Sequence, residues 1–174
     1  MSMRARIIKL SLLCVLILPE TGRAQAPTVI NTARADSLLD AEQWAQAIAE
    51  LDKQLSAAPS PALLSMRARA HREQGDLAKS RSDYDAALKL DERFGGAYAG
   101  RAATRLRSGD AAGALDDVAK ARRVGLAAPA LLLLEGMANG QRDNESAAMM
   151  AFTRYVEAAP DDPMVQQYCK EVNE

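Results

Sequence analysis

The stretch Glu73–Leu90 reads EQGDLAKSRSDYDAALKL, and Arg107–Val124, thirty-four residues further on, reads RSGDAAGALDDVAKARRV. Each carries Gly-Asp near its start, an alanine two residues after that Asp, and a second Asp seven residues after it. Self-similarity at a fixed step of 20–50 residues is the mark of a repeat architecture. Extending the step in both directions gives four units near 28–60, 61–94, 95–128 and 129–162, the first one residue short. A small residue falls midway through the first half of every unit: Ala35, Ala68, Ala102, Gly136. A second opens the second half: Ala47, Ser80, Ala114, Ala148. Four residues later stands a large apolar one: Leu51, Tyr84, Val118, Phe152.

These columns have a mechanical meaning. Where two antiparallel helices cross closely, the contact residue on each must be small or the backbones are held apart. The large residue one turn on lies on the same face and fills the space beside the crossing. A single hairpin cannot cover its own apolar side, so neighbouring hairpins stack. Composition agrees, at 48% hydrophobic but only 4% aromatic, with Ala and Leu dominant, residues that lose little on entering a helix. The pattern predicts first helices near 28–40, 61–74, 95–108 and 129–141, and second helices near 43–57, 77–91, 111–124 and 145–158. Ser60-Pro61 and Ala128-Pro129 read as helix starts, with Ser60 as an N-cap, and Asp76, Asp110 and Asn144 as caps of second helices. Asp162-Pro163 begins a further segment, 163–174, expected to form a capping helix whose Met164, Val165, Tyr168 and Val172 cover the end of the stack.

The period and these columns resemble the tetratricopeptide repeat, through MRARAHREQGDLAKSRSDYDAALKLD in the second unit and GRAATRLRSGDAAGALDDVAKA in the third. WAQAIAELDKQLSAAP and LLEGMANGQRDNESAAMMAFTRYVEAAP extend the likeness to units one and four. The family's late alanine stands at Ala87 and Ala121 but is replaced by Gln54 and Tyr155. Its closing proline stands at Pro59 and Pro160 but is replaced by Glu92 and Leu126. The resemblance implies an all-α, right-handed α-α superhelix of about four hairpins, repeat domain 27–162, whose first helices line a concave groove for a partner protein or peptide. Carried over by position, the groove would include Asp36 and Asp40 from unit one, and Ser65, Arg69, Arg72 and Glu73 from unit two. Ala103, Leu106 and Arg107 follow from unit three, and Leu133 and Met137 from unit four; Leu39 and Ala99 fall in the same set. A carboxylate clamp known in one branch of the family would need Lys and Asn where this chain has Thr32, Asp36, Met66, Gly96 and Gly100, so that specificity is not implied.

The first 26 residues read differently. A basic head with Arg4, Arg6 and Lys9, the apolar stretch Leu10–Pro19 and the small-x-small ends Gly22-Arg23-Ala24 and Ala24-Gln25-Ala26 match a cleaved secretory signal. About ten apolar residues fall short of the roughly twenty a membrane span needs. Cleavage after Ala24 or Ala26 and a bacterial periplasmic or secreted location are expected; an uncleaved tether to an envelope complex is the alternative. Cys14 sits behind Leu12-Leu13 rather than small residues, so lipidation is not expected. Removal of 1–26 takes four of the 22 Lys/Arg and one of the 23 Asp/Glu, leaving a net charge near −4, which gives no reason to bind nucleic acid. Only Cys169 then remains, which excludes an internal disulfide and reads as a buried thiol.

No chemistry beyond binding emerges. His71 is the sole histidine, the glycines of GGAYAG (Gly95–Gly100) have the wrong spacing for a phosphate loop, and no His/Cys pair has metal-ligand spacing. No catalytic, cofactor or metal site is expected, and His71 reads as a packing or groove residue. Two features stay open. Arg67, Arg69 and Arg72 with Arg101, Arg105 and Arg107 form either a basic stripe for partner carboxylates or a solvated face balanced by Glu73, Asp76 and Asp110. Leu131–Leu134 reads as core, or else as a binding element.

Overall fold

A computed structural model of the chain describes residues 32–163 together with 165 and 166. They form eight helices: α1 (Ala33–Asp40), α2 (Trp44–Ala57), α3 (Pro61–Glu73), α4 (Leu77–Leu90), α5 (Gly95–Arg107), α6 (Ala111–Arg123), α7 (Ala130–Gln141) and α8 (Glu145–Ala158), with no strand among the described residues. Each bound lies within a residue or two of the expected one, save that the stretch before Thr32, like the leader 1–26, falls outside the described residues. The turns explain the agreement. Gly75 and Gly109 adopt left-handed φ of +88° and +81°, a region open to glycine at no steric cost. The next residue caps the second helix: the Lys79 amide donates to the Asp76 carboxylate at 3.1 Å and the Gly113 amide to Asp110 at 2.9 Å. Asn144 does the same for α8. In the outer hairpins the glycine position holds Glu42 and Asp143, both at φ 56°, a conformation that costs a side-chain-bearing residue roughly 1–2 kcal/mol. Ser60 departs from its expected role. Pro61 does open α3, but the Ser60 side chain makes no capping bond.

The small columns are where the helices meet. Ala35, Ala68, Ala102, Ala47, Ser80 and Ala114 are all 0% exposed. Each helix packs on its chain neighbour, and α3 also touches α5, as α5 touches α7. The second-helix column meets a third set of small residues on the next first helix. Ala47 shares a buried cluster with Ala70, and Ala114 with Ala138. At the middle step both partners carry hydroxyls, and Ser80 and Thr104 are hydrogen bonded at 2.9 Å. Two polar substitutions thus answer one another across a junction that is alanine elsewhere.

The large column shows the same compensation. Tyr84 lies against Gly100, where an added Cβ would clash with the Cζ and hydroxyl oxygen of the phenol. One step on, the large position shrinks to Val118 and the facing position grows to Leu134, both in one core cluster. Phe152 breaks the column: its ring lies over Gly136, but it is 37% exposed, since no further hairpin packs on it among the described residues. Beside it Met149 is 70% exposed, and a cleft of about 740 Å³ opens between Leu133, Met149, Phe152 and Val165. Val165 is buried, and helical hydrogen bonding resumes where the Gln166 amide donates to the Asp162 carbonyl. The rest of the expected capping helix, with Met164, Tyr168, Cys169 and Val172, lies outside the described residues. Leu131 is core, and Leu132–Leu134 are half-buried.

The Tyr84–Gly100 exchange makes a prediction. Gly100→Leu should destabilise the chain by about 1–3 kcal/mol through overpacking. Adding Tyr84→Val, which recreates the Val118–Leu134 combination, should recover most of that loss in urea unfolding. Equal stability of the single and double variants would show that the two positions do not share space.

Candidate partner-binding groove

First helices form the inner side of the stack. α3 contacts α5 and α5 contacts α7, whereas the second helices of successive hairpins make no comparable contact, so the stack closes in on its first-helix side. Three rows of equivalent positions run across this side. One is Asp36, Arg69, Ala103 and Met137, directly after the buried small column. A second is Asp40, Glu73, Arg107 and Gln141; a third is Ser65, Ala99 and Leu133. Asp36, Asp40, Arg69, Arg107 and Met137 are exposed, and Ser65, Arg72, Glu73, Ala99, Ala103 and Leu133 are half-buried.

Leu106 and Leu39 do not belong to the face. Leu106 is 3% exposed and packs in the main core cluster with Ala102 and Val118; Leu39 is equally buried, with Ala47 and Ala70. Each sits one residue before a groove position, and the 100° turn per residue carries it to the core side.

The inner arginines divide between both readings. Arg72 donates from Nε to Glu73 at 3.0 Å, and Arg107 reaches the other Glu73 oxygen from the next hairpin at 2.9 Å. Burial opposes the charged form of Glu73, yet the hydrogen bonds and charges of Arg72 and Arg107 outweigh it and hold its carboxyl below the usual range. Gln141 continues the row by donating to the Leu106 carbonyl at 3.0 Å, a second donor for an oxygen that already accepts from the Gly109 amide at 3.1 Å. Arg69 has no hydrogen bond or ion pair among the described residues, and neither Asp36 nor Asp40 has a side-chain partner there. These are the unengaged charges of the face.

The outer arginines are structural, through a periodicity that the sequence carries in plain view. Arg67 donates from Nε and Nη2 to both oxygens of Asp83, at 2.8 and 2.7 Å, and from Nη1 to Asp52 at 2.6 Å. Arg101 repeats the fork on Asp117 at 2.9 and 2.7 Å and reaches Asp85 at 2.5 Å. Each guanidinium therefore ties its own second helix to that of the preceding hairpin. Hydrogen bonding to Asp83 and Asp117 raises both guanidinium pKa values above their already high level; burial opposes this, and Asp52 and Asp85 add to it. Arg34 and Glu50 occupy the same two positions in hairpin one, at a looser 3.8 Å. In hairpin four the column reverses sign: Glu135 stands at the arginine position, Ala151 at the acid, and Arg122 of α6 supplies the cation at 2.6 Å. The signal in sequence is an arginine followed sixteen residues later by an acid, three times over.

His71 is a packing residue, as expected. It is nine-tenths buried, and its Nδ1 has no hydrogen-bond partner among the described residues. Burial is the main cause that pushes its pKa below the ordinary imidazole value; Asp83 pulls the other way, and Lys79 and Arg67 add to the fall. Among the described residues no group of three His, Cys, Asp or Glu is placed to hold a metal, and no helix is long and apolar enough to cross a membrane.

Comparison with known proteins places this geometry. Residues 61–94, the second hairpin, match the tetratricopeptide repeat family. A tetratricopeptide repeat protein from Parabacteroides merdae superimposes with a TM-score of 0.66 at 18% identity, over 78% of this chain and 54% of that one. The chain thus spans about half the length of that structure. The C-terminal part of a TPR repeat-containing protein from Cytophaga hutchinsonii aligns at 18% identity with a TM-score of 0.40, over 76% of this chain and 66% of that one. No curated protein sequence matches the chain. The fold is a superhelix of helical hairpins of the tetratricopeptide-repeat type.

Two outcomes follow. Asp117→Ala, which leaves Arg101 and Arg105 facing an empty site, should cost about 3–5 kcal/mol in urea unfolding, against at most about 1 kcal/mol for Arg34→Ala at the exposed pair. For His71, the unfolded chain takes up a proton at about pH 6.5 while the folded chain resists it until lower pH. Stability should therefore fall as pH drops from about 6.5 towards the folded-state value. His71→Gln should remove that slope; an unchanged slope would show that another group carries it.

Proposed function

We propose that this chain is an exported, non-enzymatic scaffold that holds a partner protein or peptide on its first-helix face. One contrast carries the reading. The column Ala35, Ala68, Ala102 and Gly136 is small and buried throughout, while the residues immediately after it, Asp36, Arg69, Ala103 and Met137, are acidic, basic, small and apolar. Packing demands sameness in the first column and places no such demand on the second. Repeat scaffolds separate frame and specificity in this way. The charged groups that cluster on this face, Arg72, Glu73 and Arg107, are spent on one another, and an open face favours binding over water-excluded catalysis.

Export rests on the order of residues in the first 26 positions. Mass spectrometry of the chain purified from cells should find it beginning at Gln25 or Pro27. A chain that still carries Leu10–Pro19 would support the tethered alternative instead.

The scaffold reading is tested by a photo-crosslinking residue at Ala103 on the inner face and, in a second variant, at Arg81 on a second helix. Discrete crosslinked protein bands from position 103, absent from position 81, are expected. The same bands from both positions, or none from 103, would overturn the assignment of the face.

A further inference from the structure

Resting on that reading, we propose what the partner segment looks like: an extended stretch carrying a cation, a carboxylate and an apolar side chain in that spatial order across α1, α3 and α7. The row after the buried column supplies the complement. Asp36 on α1, with Asp40 one turn on, presents carboxylates that have no side-chain partner among the described residues. Arg69 on α3 presents an equally unengaged guanidinium, whereas Arg72 and Arg107 are already committed to Glu73. Ala103 on α5 adds neither charge nor bulk, so a backbone can approach closely there. Met137 on α7 is 45% exposed and adjoins Leu133, which opens into the apolar cleft of about 740 Å³. Along one row, then, the face runs from acid to base to small to apolar.

Geometry sets the spacing. Packed helices lie about 8–10 Å apart, and an extended chain advances about 3.3 Å per residue. α3, α5 and α7 pack in turn, so each step among them takes about three residues of partner, and the repeat carries the same spacing back to α1. A cation at position 1 over Asp36 places a carboxylate at about position 4 over Arg69 and an apolar side chain at about position 10 over Met137. The partner lies across the helices, so either chain direction satisfies the order in space. An exposed ion pair contributes little by itself, but an exchanged order meets two like-charge contacts in place of two attractions, which is how charge confers selectivity.

The test uses the full chain and four fluorescent ten-residue peptides, followed by anisotropy at low and high salt. Two carry Lys, Glu and Leu at positions 1, 4 and 10, in forward and reversed chain direction; two carry the same pattern with Lys and Glu exchanged. One direction of the first pattern should bind, more weakly at high salt, and its exchanged counterpart about tenfold more weakly. Asp36→Lys with Arg69→Glu should invert that preference, and Met137→Ser should weaken both peptides without altering the salt dependence. The substituted positions are exposed, and thermal melting checks that the fold is kept. No binding by any peptide, equal binding of both charge orders, or an uninverted preference in the double variant would overturn the proposal. Crosslinking from position 103 without charge inversion would sink this partner chemistry and leave the scaffold standing; loss of that crosslink would sink both.

Discussion

The close approach of helix backbones through alanine governs this molecule. Its fully buried interior is thin in large side chains: among the described residues Leu51, Leu63, Leu131 and Val118 are the bulkiest apolar groups there, and most other fully buried positions are alanine. Such a core gains cohesion by bringing backbones and short side chains within dispersion range rather than by burying large area per residue. That makes it sensitive to single added methylenes. The same constraint explains the paired exchanges, where a hydroxyl at Ser80 is met by Thr104 and the bulk of Tyr84 by the missing side chain of Gly100.

Charge does a second job where alanine contacts cannot. Small smooth surfaces slide, and nothing in an Ala–Ala contact selects one angle between hairpins. Arg67 and Arg101 reach from a first helix to acids on two different second helices, in forked geometry that tolerates little rotation. Buried ion pairs are poor sources of net stability, and fixing register is their best-attested use. The column changes in the last described hairpin. In hairpin four the arginine becomes Glu135 and its acid becomes Ala151, and a single, more exposed pair with Arg122 remains.

The two sides of each first helix therefore face different demands. The packed side repeats itself because every hairpin meets the same neighbour. The inner side meets solvent or a partner and varies from hairpin to hairpin. Its charge is less uniform than six arginines in two rows imply, since one acid, Glu73, occupies two of them and the outer aspartates occupy three more, Arg67, Arg101 and Arg105. What remains is a short, polarised row.

Much of this was legible in the chain itself. Periodicity, helix bounds, caps and the buried columns follow from local rules, because each hairpin repeats the contacts of the one before, and a contact made three times leaves three copies in the sequence. Even the Arg-to-acid ladder was written there at a sixteen-residue spacing. Arginines were legible as charge, but their partners lie on neighbouring helices, and only the folded chain tells a guanidinium held by two aspartates from one facing solvent. Tertiary structure likewise removed Leu106 from the groove, since one residue of helical rotation divides core from face. It also bared Phe152, since a repeat pattern specifies what each hairpin needs from its neighbour, and no neighbour covers α8 among the described residues.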